Sequence, residues 1–312
     1  SVHNSGLFCL TFKSASRIFY QTQKELLSLP AKNLNMIKYK HALALNPYFG
    51  DSTALMGVFP PTGLEYIAAS MKDLVGKVTL LDLRYEKAYQ DPKALSKFIR
   101  NEIDLLCVSI RWESQFENVC DFVSQLPSEI CTVVGGYKAT EEVKNLFDRC
   151  PNIDMIVRGE GEDIIKQIVT GVPYKDIRGL SYRENGGIVH NEIHPLPDIT
   201  KIPFPDRSLR THDYRMVKYG VQISNHTFDT VLTTRGCPFK CKFCTFSLNP
   251  LGQKRSYTER TVESVVEELK TVTADVVLFS DDNFFTNPNR SEQLCDMIIE
   301  RSEEHRLNSS HT

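Results

Sequence analysis

The sequence predicts an α/β protein in two parts: a doubly wound, Rossmann-like domain on a parallel sheet, then a second β/α unit that opens on a cysteine loop. Three observations predict it. Between Tyr39 and about residue 170, short apolar runs alternate with stretches of helical period, the pattern of a parallel sheet covered on both faces. Asn185-Gly186 sits between alternating apolar residues, the signature of a two-residue hairpin, and Pro195, Pro197, Pro203 and Pro205 follow as an extended connector. After the β-rich segment 230–234 come Cys237, Cys241 and Cys244, spaced CxxxCxxC, and then a helix and another strand.

In chain order, the predicted strands of the first domain are 40–46, 77–83, 104–110, 130–135 and 153–158. Helical stretches fall near 62–75, 92–101, 114–126, 139–149 and 161–170. Right-handed crossovers would set such a sheet between two helical layers, with ligands at the C-terminal strand ends. In the second unit, apolar residues at 262, 265, 266 and 269 predict a helix, and Val276-Val277-Leu278-Phe279 a strand. An acidic turn, Ser280-Asp281-Asp282-Asn283, closes that strand.

Residues 1–35 carry no strong period, and Met36 stands just before the first strand, so 1–35 is expected to be a non-native or disordered extension. Residues 301–312 abandon the apolar period of Leu294, Met297 and Ile298 and read as an artefactual tail, which would leave the second domain cut short. The expected division is therefore 36–172 for the first domain, 173–228 for the hairpin and connector, and 229–300 for the start of the second.

Composition narrows the function classes. The 312 residues carry a formal net charge of −2 with their 37 Lys and Arg dispersed, which argues against a nucleic-acid surface. No apolar run is long enough for a membrane span, and the first residues show no charged-then-apolar pattern, so no signal peptide is expected. Nine cysteines in a chain of this length do not form a disulfide scaffold, so a reducing cytoplasm is the expected setting. Cys9, Cys107, Cys120, Cys131 and Cys150 show no metal spacing, and Cys107 and Cys131 read as core residues.

The cysteine loop carries the chemistry. Three thiolates on one short loop can hold three corners of a cubane iron–sulfur cluster and leave its fourth iron open. A structural zinc site would want four ligands in two separated pairs, and the next cysteine, Cys295, stands alone in a helical pattern. The spacing, Phe243 before the last cysteine and the lead-in Arg235-Gly236-Cys237-Pro238 resemble the radical S-adenosylmethionine enzymes. That resemblance implies a 4Fe–4S cluster on Cys237, Cys241 and Cys244, whose open iron chelates S-adenosylmethionine and whose reduction cleaves it to a 5′-deoxyadenosyl radical. It also implies a partial (β/α) barrel with the cluster at its mouth. Phe243 is expected beside the S-adenosylmethionine, and Asp281 and Asp282, at the end of the second barrel strand, are expected to accept from its amino group. A capping turn or a calcium-like surface acid pair is the alternative reading. Arg255 is expected to meet a carboxylate or solvent.

For the first domain, the one near match to a dinucleotide fingerprint is Gly159-Glu160-Gly161-Glu162-Asp163, whose carboxylates would repel a pyrophosphate. Helix capping and a tight turn account for it. Asn46-Pro47, Pro60-Pro61-Thr62-Gly63-Leu64, Val133-Val134-Gly135-Gly136 and Arg158-Gly159-Glu160-Gly161-Glu162 resemble the cobalamin-binding-type domain that precedes many radical S-adenosylmethionine cores. The resemblance implies bound cobalamin with Gly135 and Gly136 against the flat cofactor; otherwise these glycines turn the chain between strand and helix. The Asp-x-His-x-x-Gly motif is absent, so the cobalt would not take that histidine. His190, His194 and His212 lack paired spacing and read as surface residues.

The expected function is reductive cleavage of S-adenosylmethionine, with cobalamin serving methyl transfer or a radical rearrangement on a small-molecule substrate, and with an electron donor such as flavodoxin or ferredoxin. Two rivals are a non-catalytic corrinoid-binding or redox-sensing iron–sulfur protein and a methylthiotransferase. The second needs three N-terminal cluster cysteines, a pattern that Cys107, Cys120, Cys131 and Cys150 do not match.

Overall fold

The computed structural model describes residues 9–11, 37–49, 59–111, 115–218, 221–239, 241, 244 and 249–309. A short β1 (Cys9–Thr11) precedes β2 (His41–Asn46), α1 (Thr62–Met71), β3 (Lys77–Asp82) and α2 (Pro92–Glu102). Then follow β4 (Leu105–Ser109), α3 (Phe116–Val123), β5 (Cys131–Gly135), α4 (Tyr137–Glu141) and α5 (Val143–Arg149). β6 (Met155–Val157), α6 (Glu162–Val169), β7 (Leu180–Glu184) and β8 (Gly187–His190) complete the large sheet. The second part comprises β9 (Arg215–Lys218), β10 (Val221–Val231), β11 (Thr234–Arg235), β12 (Thr258–Glu259), α7 (Val262–Leu269), β13 (Val276–Phe279) and α8 (Pro288–Ser309).

The large sheet has the order β3-β2-β4-β5-β6-β7-β8. Its first five strands are parallel, and the β7–β8 hairpin adds antiparallel to β6. Because β2 lies between β3 and β4, the chain leaves β2 and β4 toward opposite sheet faces. Ligands of such sheets collect at this switch point, outside the carboxyl ends of the strands. Side-chain alternation builds the two faces: Leu43 and Leu45 of β2 pack with Ile99, Val119 and Leu146 under α2, α3 and α5, while Ala42 and Ala44 pack with Leu64, Ala68 and Ile168 under α1 and α6. All six residues of β2 are therefore buried, with an apolar run, Ala42–Leu45, between the buried polar His41 and Asn46.

Local chemistry fixes the ends of these elements. Asp91 caps α2 by accepting from Lys93 N at 3.1 Å, with Pro92 in the first turn. The hairpin turn takes Asn185 at φ 50° and Gly186 at φ 78°, with Glu184 paired to Gly187, as the Asn-Gly signature predicts. The helix predicted over 139–149 is broken at Glu142 (φ −105°, ψ 30°) into α4 and α5.

In the second part β10 and β13 run parallel, joined through α7, while β1 and β9 pair antiparallel on the two sides. Val231, Val265, Val277 and Leu294 form its core under α7 and α8. Three features depart from the sequence pattern. β10 begins at Val221, well ahead of the predicted 230, because Gln222, Asn225 and His226 dilute its apolar signal while pairing with β9 supplies the ladder. Cys9–Thr11 forms a strand against β13, and α8 continues to Ser309 past the point where the apolar period lapses.

Buried ion pairs join the parts. Arg210 donates to Glu65 of α1 and to Asp229 of β10, and Arg207 links Asp229 to Glu268 of α7. Thr62 and Thr230 share a hydroxyl hydrogen bond of 2.7 Å. Removing one partner from such a pair strands a buried charge, so each of these contacts is costly to break.

Candidate functional site

The cysteine loop is pinned before its first cysteine. Asp281, just beyond β13, accepts from Thr233 N at 2.6 Å and Thr234 N at 3.0 Å, and its second oxygen takes the Thr233 hydroxyl. Asp282 accepts from Gly236 N at 2.7 Å. Burial pushes both carboxyls above their usual range, while these donors pull the other way. Gly236 has φ 86°, and a Cβ there would stand 2.6 Å from the Ser256 carbonyl, so only glycine lets the chain turn between Arg235 and Cys237. Within the loop, Cys244 N donates to Cys241 O at 3.1 Å, and Asn283 Nδ2 approaches Cys237 Sγ at 3.8 Å. Cys241 is exposed, and Cys237 and Cys244 are half-buried. Among the described residues, no three His, Cys, Asp or Glu side chains are preassembled around one point.

Arg235 carries the loop onto the first domain. Its guanidinium donates to Glu160 Oε2 and Glu162 Oε1, both at 2.6 Å, and lies 5.4 Å from the centre of the Tyr66 ring. Arg255 forks onto the same Glu160 with two bonds of 2.7 Å. Two guanidiniums and two carboxylates thus lock the sheet's carboxyl edge to the cysteine loop. Burial alone would lower the Arg235 pKa, but the charges of Glu162 and Glu160 outweigh it and hold the group cationic.

Between them lies a cavity of about 350 Å³ over the carboxyl ends of β4, β5 and β6. Gly63, Ile67, Cys107, Gly135, Val157 and Arg235 line it, with Glu160 and Glu162 at the α6 side. Its wall is largely apolar backbone and aliphatic side chain, a surface suited to a flat group with apolar faces. A second, more open depression of about 750 Å³, bounded by Pro47, Phe49, Gln115 and Phe122, lies away from the cysteine loop.

The structure brings Cys237, Asp281 and Asp282 together and sets Gly135 and Gly136 in the cavity wall across from Arg235. The hydrogen bonds given to Asp281 come from Thr233 and Thr234, 48 and 47 residues earlier in the chain, so they tie two strand ends together and are not those of a local capping turn. Gly136 has its own local reason: at φ 113°, a Cβ would sit 2.5 Å from the Ile110 carbonyl. Phe243 lies outside the described residues. Arg255 is ion-paired, and His212 is half-buried, stacked on Tyr85 at 4.0 Å, so it is not a simple surface residue. Sequence reasoning missed the pairing of Glu160 and Glu162 with Arg235, and missed Asn283. The signal for the first was present: two acids that repel an anionic ligand need basic partners, and Arg235 leads directly into the cysteines.

Comparison with known proteins agrees with this geometry. Residues 53–169 match the B12 binding domain, and residues 231–312 match the radical SAM superfamily. The chain is 30% identical over 244 residues to an uncharacterized methyltransferase of Pyrococcus horikoshii, covering 74% of this chain and 50% of that protein. It therefore spans about half the length of that curated relative. The radical S-adenosylmethionine methyltransferase TsrM from Kitasatospora setae, solved with tryptophan and a S-adenosylmethionine analogue, superimposes with a TM-score of 0.64 at 19% identity, over 85% of this chain and 52% of that one. The same enzyme with cobalamin and a 4Fe–4S cluster bound gives 0.62 at 18% identity, over 85% and 53%. No described helix is long and apolar enough to cross a membrane. With the cavity at the carboxyl edge of its parallel sheet and Arg235 of the cysteine loop in its lining, the chain carries a B12-binding domain over residues 53–169 ahead of a radical S-adenosylmethionine domain over residues 231–312.

Proposed function

We propose that the protein is a cobalamin-dependent radical S-adenosylmethionine enzyme that transfers a methyl group, or carries out a related radical reaction, on a small-molecule substrate. The observation that carries this reading is the ion-paired contact of the cysteine loop, through Arg235, with the rim of the cavity in the B12-binding domain. Cys237, Cys241 and Cys244 would hold a 4Fe–4S cluster, for which three soft thiolates on one loop are a fitting donor set. Bound at these sites, the cluster supplies an electron for cleaving S-adenosylmethionine, and cobalamin supplies carriage of a methyl group.

The chain's own residues do the positioning. Asp281 and Asp282 hold the strand end from which the cysteines project, and Asn283 offers an N–H to the Cys237 sulfur, a contact that stabilises a thiolate. If Asp282 also meets the amino group of S-adenosylmethionine, it does so from an anchored position. Phe243 would border that ligand, and Gly135 and Gly136 would present bare backbone to the corrin face. A low-potential carrier such as flavodoxin or ferredoxin would deliver the electron, and the free thiols suit a cytoplasmic setting.

The test is anaerobic reconstitution of the full chain with iron, sulfide and hydroxocobalamin, followed by metal, sulfide and corrinoid analysis. Four irons and one corrinoid per chain are expected. Tightly bound zinc without sulfide, or a folded chain that takes up no corrinoid, contradicts the reading.

A further inference from the structure

The cavity wall holds a carboxylate oxygen, Glu162 Oε2, with no hydrogen-bond partner among the described residues. Glu162, the first residue of α6, is 5% exposed and lines the cavity. Its Oε1 accepts from Arg235 at 2.6 Å, but Oε2 is buried with no partner among the described residues. Buried carboxylate oxygens are almost always satisfied, and an orphan beside a cavity marks a place where a ligand donates.

The local charges decide what kind of donor fits. Glu160 and Glu162 are matched by Arg235 and Arg255, so the carboxylates are already neutralised, and Arg111 adds a further guanidinium to the cavity lining. A cationic ligand would add an unbalanced charge to an apolar wall, and an anion would meet two carboxylates at close range. A neutral N–H completes Oε2 without altering the balance. We infer that Glu162 Oε2 is the acceptor for a carboxamide N–H on the rim of the bound corrinoid. This rests on the corrinoid reading of the cavity and assigns a residue within it. One carboxylate then serves both sites, holding the cysteine loop through Arg235 with one oxygen and the corrinoid with the other.

The Glu162→Gln variant cannot do both. If its amide oxygen faces Arg235, its NH₂ faces the ligand's N–H, and the reverse orientation sets NH₂ against the guanidinium. The experiment titrates the anaerobically prepared full chain by visible absorption with two corrinoids that both lack the nucleotide tail: dicyanocobinamide, which bears carboxamides, and dicyano heptamethyl cobyrinate, which bears methyl esters. The wild type is expected to bind the amide corrinoid more tightly. Glu162→Gln should lose about tenfold to a hundredfold for the amide and less than twofold for the ester, the range of one charge-assisted hydrogen bond. Equal losses for both ligands, or no loss for either, overturn the assignment. If the variant fails to fold, as judged by far-UV circular dichroism, the wild-type pair alone decides: equal affinities overturn it. A folded wild type that binds neither corrinoid removes the reading of the cavity itself, a different failure from the loss of Glu162's role.

Discussion

Asp281 separates two accounts of the acidic turn, one in which it builds the cysteine loop and one in which it only greets S-adenosylmethionine. It accepts two backbone N–H groups, from Thr233 and Thr234, and both of those residues are fully buried. Truncation in Asp281→Ala leaves both donors unpaired, at about 1–3 kcal/mol each. Burial already disfavours the charged carboxylate, so its removal returns part of that cost. A net local destabilisation of about 3 kcal/mol is expected, which corresponds to about a hundredfold faster opening. Asp281→Asn keeps one acceptor oxygen for the two N–H groups and loses only the Thr233 hydroxyl's acceptor, at about 1 kcal/mol. Hydrogen exchange read by mass spectrometry on peptides spanning 230–236, without S-adenosylmethionine, measures both. Protection unchanged within about twofold in Asp281→Ala would refute the clamp and leave the ligand contact as the residue's role.

Other perturbations test the frame around the site. Gly136→Ala forces a Cβ to 2.5 Å from the Ile110 carbonyl at a positive φ and should cost about 2 kcal/mol in urea unfolding, whereas Gly63→Ala meets nothing within 4 Å in the first turn of α1 and should gain about 0.5 kcal/mol. Glu268 is fully buried between Arg207 and Arg260, so Glu268→Gln should lower stability by about 3 kcal/mol, seen as a lower urea midpoint. Burial would raise the Asp82 carboxyl, but its bonds from Arg84 outweigh that and hold it below the ordinary value of 3.8. As pH falls, the unfolded chain therefore takes up this proton first. The Asp82 contribution is complete above about pH 4 and is lost as pH drops through the lowered folded-state value, so Asp82→Asn should flatten the acid limb of the stability curve below about pH 4.

Much of this was legible in the sequence because it rests on short-range rules. The short apolar run of β2, the Asn185-Gly186 turn and the apolar positions of α7 follow from local geometry, and each element forms where that geometry asks for it. The CxxxCxxC spacing is likewise local. What escaped was long-range pairing. Glu160 and Arg235 are 75 residues apart, and Arg210 reaches Glu65 across 145, so no window along the chain joins them. Pairing with the distant β13 also made a strand of β1, and pairing with the neighbouring β9 made one of the early part of β10, where composition alone did not. At Glu142 the backbone leaves the helical region (φ −105°, ψ 30°) although the helical period runs on through it, a break that no local residue signal announces.

The central claim is an iron–sulfur cluster on Cys237, Cys241 and Cys244 with one iron open to S-adenosylmethionine. Low-temperature electron paramagnetic resonance of the reduced, anaerobically reconstituted full chain tests it most directly, recorded with and without S-adenosylmethionine. A 4Fe–4S signal whose g-values shift on adding S-adenosylmethionine, and which disappears in Cys241→Ala, is the predicted result. A signal indifferent both to S-adenosylmethionine and to the loss of Cys241 would contradict the account.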